Sequence, residues 1–266
     1  MSDLVKLYAR PKLNSPNLIA VWPSIANVSL LVANYLEKKL DFKPLAEINA
    51  AHFFDPIGVM VRNNVVEAPQ FPQSKFSYWK NKNGGSDVIL FIGDDQPAAK
   101  GYELANCVID VALKFQVQRI YTLAAAKTRM HHTEQPKVWG VATIAELTHE
   151  LRKFDLVQRG NLRISGLNGI LLGVAKERGV DGICLLGEVP AYASRVQNPM
   201  AALAILGVLP KMLDIEVDIH ELAQIAAETR EQLKEAAAQA MGEYIDLFTE
   251  PIWEQGQDDD EEEDEE

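Results

Sequence analysis

The sequence predicts an α/β protein: a single three-layer domain with a mixed, mostly parallel sheet, followed by a long C-terminal helix. Three observations carry this. Short continuous apolar runs, such as Leu18–Trp22 closed by Pro23 and Asp87–Ile92 closed by Gly93, suit strands buried on both faces. Segments of helical spacing alternate with them, as strands and their crossover helices do in a sheet covered on both sides. From Leu222 to Phe248, apolar or small residues then step by three or four along an Ala- and Glu-rich stretch that stops before Pro251.

In chain order, Leu18–Val21 predicts the first strand. Over 25–40 the residues Val28, Leu31, Val32, Tyr35 and Leu36 predict a helix, with Lys38 and Lys39 favourable near its C-terminal dipole. Leu45–Phe54 and Ile57–Val66 read as strand-like segments split by Asp55-Pro56, a hairpin or sheet edge. The Pro, Ser, Asn and Gly content of 69–85 predicts an excursion loop. Strand Asp87–Ile92, helix Tyr102–Phe115, strand Val117–Ala124, strand Val138–Thr143 and helix Ala145–Phe154 follow. A short strand at Arg163–Ser165 runs into a Gly-rich stretch, and Asp181–Leu186 is the last buried strand. Asp218-Ile219-His220-Glu221 has the spacing of a capping box opening the C-terminal helix. The expected organisation is an α/β core over 1–215, a helical extension over 216–250 and a disordered acidic tail over 251–266.

Charge separates the tail from the body. Asp258–Glu266 holds nine of the 38 acidic residues, which leaves 29 acidic against 26 basic elsewhere. A nearly neutral body offers no basic footprint, so neither nucleic acid nor an anionic membrane surface is expected as a partner. No apolar run approaches a membrane span, and Met1–Lys6 lacks the pattern of a secretory signal. A cytoplasmic protein is expected. The only cysteines, Cys107 and Cys184, sit in apolar stretches and are expected as buried reduced thiols.

The most enzyme-like segment is Ile164–Gly173, where Gly166, Gly169 and Gly173 punctuate a strand-to-helix turn. Such a turn can aim backbone amides at an anion, with Asn168 beside it. Its spacing is neither a dinucleotide fingerprint nor a P-loop, and close helix-to-strand packing explains the same letters. Asp94, Asp95 and Gln96, and Glu188, follow apparent strand ends, where open α/β sheets place ligand crevices. These carboxylates read either as proton-transfer groups or as caps on the next element. The candidate pocket is therefore Asp94, Asp95, Gln96, Gly166, Asn168, Gly169 and Glu188. His131-His132 lies beside Arg129, but adjacent histidines point apart and no third ligand is at hand, so no metal and no cofactor are expected.

Ordered segments then add what no motif carries. Ser165–Leu172, Arg178–Gly182, Leu185–Tyr192 and Asn198–Ala202, preceded by Trp22, Gly93–Pro97 and Lys137–Thr143, resemble the proteasome assembly chaperone 2 family in order and spacing, over about residues 15–225. The resemblance implies a fold similar to the nucleoside phosphorylase and hydrolase arrangement. It also implies action by protein–protein association, as a chaperone or scaffold with a proteasome-like or other protein partner. Self-association as a homo-oligomer is expected, a trimer among the candidates, with the apolar stripe of the C-terminal helix supplying area. Archaeal relatives that engage proteasomes can carry a C-terminal hydrophobic-Tyr-any ending; here the sequence ends Asp264-Glu265-Glu266, so docking by that route is not expected. The alternative is a phosphorylase- or hydrolase-like enzyme using the Gly166–Gly169 turn with Asp95 or Glu188.

Overall fold

The computed structural model describes residues 4–131, 133–158 and 161–249, with 236–249 described as backbone only. The strands are β1 (Val5–Leu7), β2 (Asn17–Val21), β3 (Lys43–Ile48), β4 (Val61–Arg62), β5 (Val65–Val66), β6 (Ser74–Trp79), β7 (Val88–Gly93), β8 (Arg119–Thr128), β9 (Val138–Ala142), β10 (Leu156–Val157) and β11 (Gly182–Pro190). Helices α1 (Val28–Lys39), α2 (Gly101–Lys114), α3 (Ala145–Leu151), α4 (Leu167–Glu177), α5 (Pro199–Leu206), α6 (Leu209–Leu213) and α7 (His220–Thr249) lie between and after them.

Nine strands form one mixed sheet in the order β1-β3-β6-β7-β2-β8-β11-β9-β10. The centre, β7-β2-β8-β11, is parallel throughout, as is the β9–β10 rim. The remaining four pairings are antiparallel. Parallel pairing is therefore less widespread than the reading of the sequence predicts. For β6 and β7 the cause is the short link from Trp79 to Val88, which admits only an antiparallel neighbour, since parallel strands need a longer crossover.

Alternation along the central strands divides the core into two layers. Ile19, Leu90, Leu123 and Leu185 face α1, α5, α6 and the first turns of α7. Leu18, Ala20, Ile89 and Phe91 face α2 and α4. Asn198 opens α5 by accepting the amide of Ala201 (2.9 Å), with Pro199 in the first turn. The start of α7 is clamped to the end of α1: Tyr35 Oη donates to the Asp218 carbonyl (2.9 Å), Lys39 pairs with Asp218 (3.1 Å), and Lys38 pairs with Glu221. Asp218 also accepts the His220 amide (3.0 Å), while Glu221, the other half of the expected capping box, pairs with Lys38 and Lys39 instead. Leu222 and Ala226 are buried, so α7 begins inside the core of the 1–215 body. The acidic tail lies outside the described residues.

Two segments differ from the reading of the sequence. The expected loop over 69–85 contains β6, whose Phe76 is buried between β3 and β7. Loop-forming residues at both ends of that stretch hide six extended residues between them. Arg163–Ser165 forms no strand, and the sheet edge is taken instead by β10 at Leu156–Val157.

Candidate functional site

The C-terminal edge of β2 and β7 gathers most of the sequence-predicted site. Asn168, buried in the first turn of α4, accepts the Trp22 amide on Oδ1 (3.1 Å) and donates from Nδ2 to the Trp22 carbonyl (3.3 Å). A primary amide offers one acceptor and two donors, which lets it pair with both polar groups of one backbone residue. Gln96 does the adjoining work, donating to the Pro23 carbonyl (2.8 Å) and accepting the Leu167 amide on Oε1 (2.8 Å). The two side chains sew the end of β2 to the start of α4.

The glycines make room for this seam. Gly166 adopts φ 75°, ψ −172°, a conformation essentially closed to other residues, and a Cβ on it would stand 2.5 Å from Gln96 Oε1. A Cβ on Gly169 would stand 2.2 Å from the Ile164 carbonyl oxygen. Both glycines serve close approach, and an N-terminal amide of α4 that could meet an anion is engaged by Gln96.

Asp94 and Asp95 sit exposed at the rim of the seam. Asp94 accepts the Gln73 amide (3.0 Å) and Asp95 the neighbouring Gln96 amide (2.7 Å). Glu188 stands apart on β11, where it takes the Trp139 indole N–H (2.9 Å) and the Lys137 amide (3.1 Å). The structure thus unites Gln96, Gly166, Asn168 and Gly169, borders them with Asp94 and Asp95, and places Glu188 with β9.

The loop after β2 is also unusual. Ala26 and Asn27 both have positive φ (53° and 54°), a conformation that costs non-glycine residues about 1–3 kcal/mol each and persists only where surroundings impose it. Here the Ala26 amide donates to the Ser194 carbonyl (3.1 Å) and its carbonyl accepts the Asn198 amide (3.0 Å). Nothing in the local spacing of 23–28 signals this.

Cys107 and Cys184 are buried in different clusters, Cys107 on α2 and Cys184 on β11. Burial pushes the Cys184 thiol up to about 12. His131 contacts Thr133 (2.8 Å), and His132 lies outside the described residues. Among the described residues no cluster of metal-ligating side chains occurs, and no helix is long and apolar enough to cross a membrane.

Three comparisons bear on this arrangement. The chain is similar to an uncharacterized protein of Methanocaldococcus jannaschii, 27% identical over 85% of this chain and 86% of the relative. It is similar to the crystal structure of Pyrococcus furiosus PbaB, an archaeal proteasome activator, at 30% identity with a TM-score of 0.75, covering 88% of this chain and 98% of that one. It shares the fold of a PAC2 family protein from Streptomyces avermitilis, at 22% identity and a TM-score of 0.72, over 86% and 99% of the two chains. The PAC2 family model matches residues 18–237, which spans the whole sheet from β2 and the first half of α7, and the chain belongs to the PAC2 family.

Proposed function

We propose that this chain is a proteasome-related assembly chaperone that acts by protein–protein association and works as a homo-oligomer. Its likeness to the archaeal proteasome activator supports the proteasome side of the reading. The observation that carries association is the excursion at 57–66. Ile57, Val59, Met60, Val61, Val65 and Val66 are each at least 50% exposed, on a ribbon of β4 and β5 separate from the main sheet.

So short a ribbon is marginally stable in water by itself, and large apolar side chains gathered in solvent along it mark an interaction surface. Asn63 and Asn64, both at positive φ, shape the tight turn that brings the two strands together. Burying these side chains against a partner would contribute about 0.8 kcal/mol for each CH₂ removed from water.

The test compares the native chain with Met60→Asp and Val65→Asp by light scattering and by capture of proteasome core-particle subunits from the same organism. The native chain should scatter as a multimer and retain core subunits, and the variants should lose one or both with an unchanged melting temperature. A native chain that scatters as one copy and retains no core subunit would refute the reading.

A further inference from the structure

Beside the seam, a depression of about 410 Å³ opens at the C-terminal ends of β8 and β11, within the size range of small-ligand sites. Trp139, Leu186, Ala125 and Ala126 form apolar wall. The Trp139 indole N–H is already given to Glu188, so what the ring offers a ligand is apolar surface. Lys127 and Arg163 line the same space, both exposed. Among the described residues no carboxylate lines it, and Glu188 of β11 is engaged by Trp139 and Lys137. Thr128 lines it as well, with its hydroxyl oxygen turned away from solvent and without a hydrogen-bond partner among the described residues.

We propose that this depression binds a carboxylate carried on an apolar group, the chemistry shared by the last residue of a protein chain and by a free aromatic or branched aliphatic acid. The apolar group lies against Trp139, Leu186 and the two alanines. The carboxylate faces Lys127 and Arg163, as terminal carboxylates are held by convergent donors and cations. The site shares no residue with the 57–66 ribbon, so it stands whether or not that ribbon mediates association.

Calorimetric titration of the full chain tests this with N-acetyl-Ala-Ala-Leu as the free acid, the same peptide as its C-terminal amide, and 3-phenylpropionate. The amide should bind at least about tenfold more weakly than the acid. K127Q or R163Q should weaken the acid up to about fivefold each, and the double variant roughly tenfold. Ala126→Leu, which fills the space and leaves the charges, should abolish binding; should it fail to fold, the charge variants decide alone. Binding of the peptide acid but not phenylpropionate, with these losses, assigns the site to chain ends, and the reverse assigns it to free acids. No heat from either acid at millimolar concentration, equal binding of acid and amide, or indifference to K127Q/R163Q would overturn the proposal.

Discussion

The seam between β2 and α4 and the ribbon at 57–66 invert the usual placement of side chains. In the seam, Asn168 is buried with two backbone partners, and Gln96 also has two. On the ribbon, six large apolar side chains stand in solvent. Buried polarity whose hydrogen bonds are all directed inward is committed to the fold, whereas exposed apolar surface is uncommitted and available to another chain. On the proposed reading, association with another chain falls to the ribbon and not to the glycine turn that looks most like an enzyme.

Substitutions can break this comparison, and the largest effect belongs to the seam. Asn168→Ala should strand the Trp22 amide in the core and remove one of the two bonds to the Trp22 carbonyl, which keeps the Ser29 hydroxyl; the cost is about 2–4 kcal/mol, about 1–3 for the unpaired amide and about 1 for the lost bond. For a chain of this size that lowers the melting temperature by roughly 4–16 °C, and a loss under 1 °C would show the seam to be dispensable. Gly166→Ala comes next, at about 1–3 kcal/mol, because it forces a Cβ toward Gln96 Oε1 in a backbone conformation reserved for glycine. Pairing it with Gln96→Ala sharpens the point: recovery of part of the loss in a denaturant melt would separate the clash from the backbone strain.

A smaller effect comes from the half-exposed clamp of Arg119 on Glu150 (2.8 and 2.9 Å). The Arg119 hydrogen bonds hold the Glu150 carboxyl below its ordinary value of 4.5. A carboxylate depressed on folding contributes stability that is present above about pH 4.5 and is lost as the pH falls through the lower folded value. Partial exposure limits it to about 1 kcal/mol. The urea midpoints of the native chain and Glu150→Gln should differ at pH 7 and draw together as the pH falls below 4.5; a gap unchanged with pH would contradict this.

The smallest effect on folding is expected on the ribbon itself. Met60→Ser with Val65→Ser should move stability by no more than about 0.5 kcal/mol, read as an unchanged guanidinium midpoint, while altering the scattering mass. A large loss of stability would mean that the ribbon packs on its own domain and that the comparison fails. Removal of Asp258–Glu266 should likewise leave the melting temperature unchanged, since consecutive like charges bury no apolar surface.

How much of this is readable in the sequence depends on the range over which each feature is determined. The runs of β2, β7 and β11 are legible because a strand buried on both faces needs nearly continuous apolar residues. β6 is not, since Pro69, Pro72, Asn81, Asn83 and the two glycines after it dominate a window in which Phe76 is the one fully buried apolar side chain. Strand-like residues over 57–66 signal an extended conformation but not whether the segment joins the main sheet. At the site, the end of β7 singles out Gln96, and the glycine-punctuated turn singles out Asn168. Their partners lie 73 and 146 residues away, a pairing no local spacing encodes. Lys127, Arg163 and Thr128 carry no sequence signal at all, because the topology alone brings them to one depression.

The separation of Asn168 from Trp22 also sets a clock for synthesis. β2 is the second strand made, yet its C-terminal end is not sealed until the chain has grown by those 146 residues. At ribosomal rates of about 5–20 residues per second, that is an interval of roughly 7–30 s. Its neighbour β8 has to wait for β11 to emerge later still. Throughout that interval the nascent chain carries apolar strands with one unsealed end and one vacant edge.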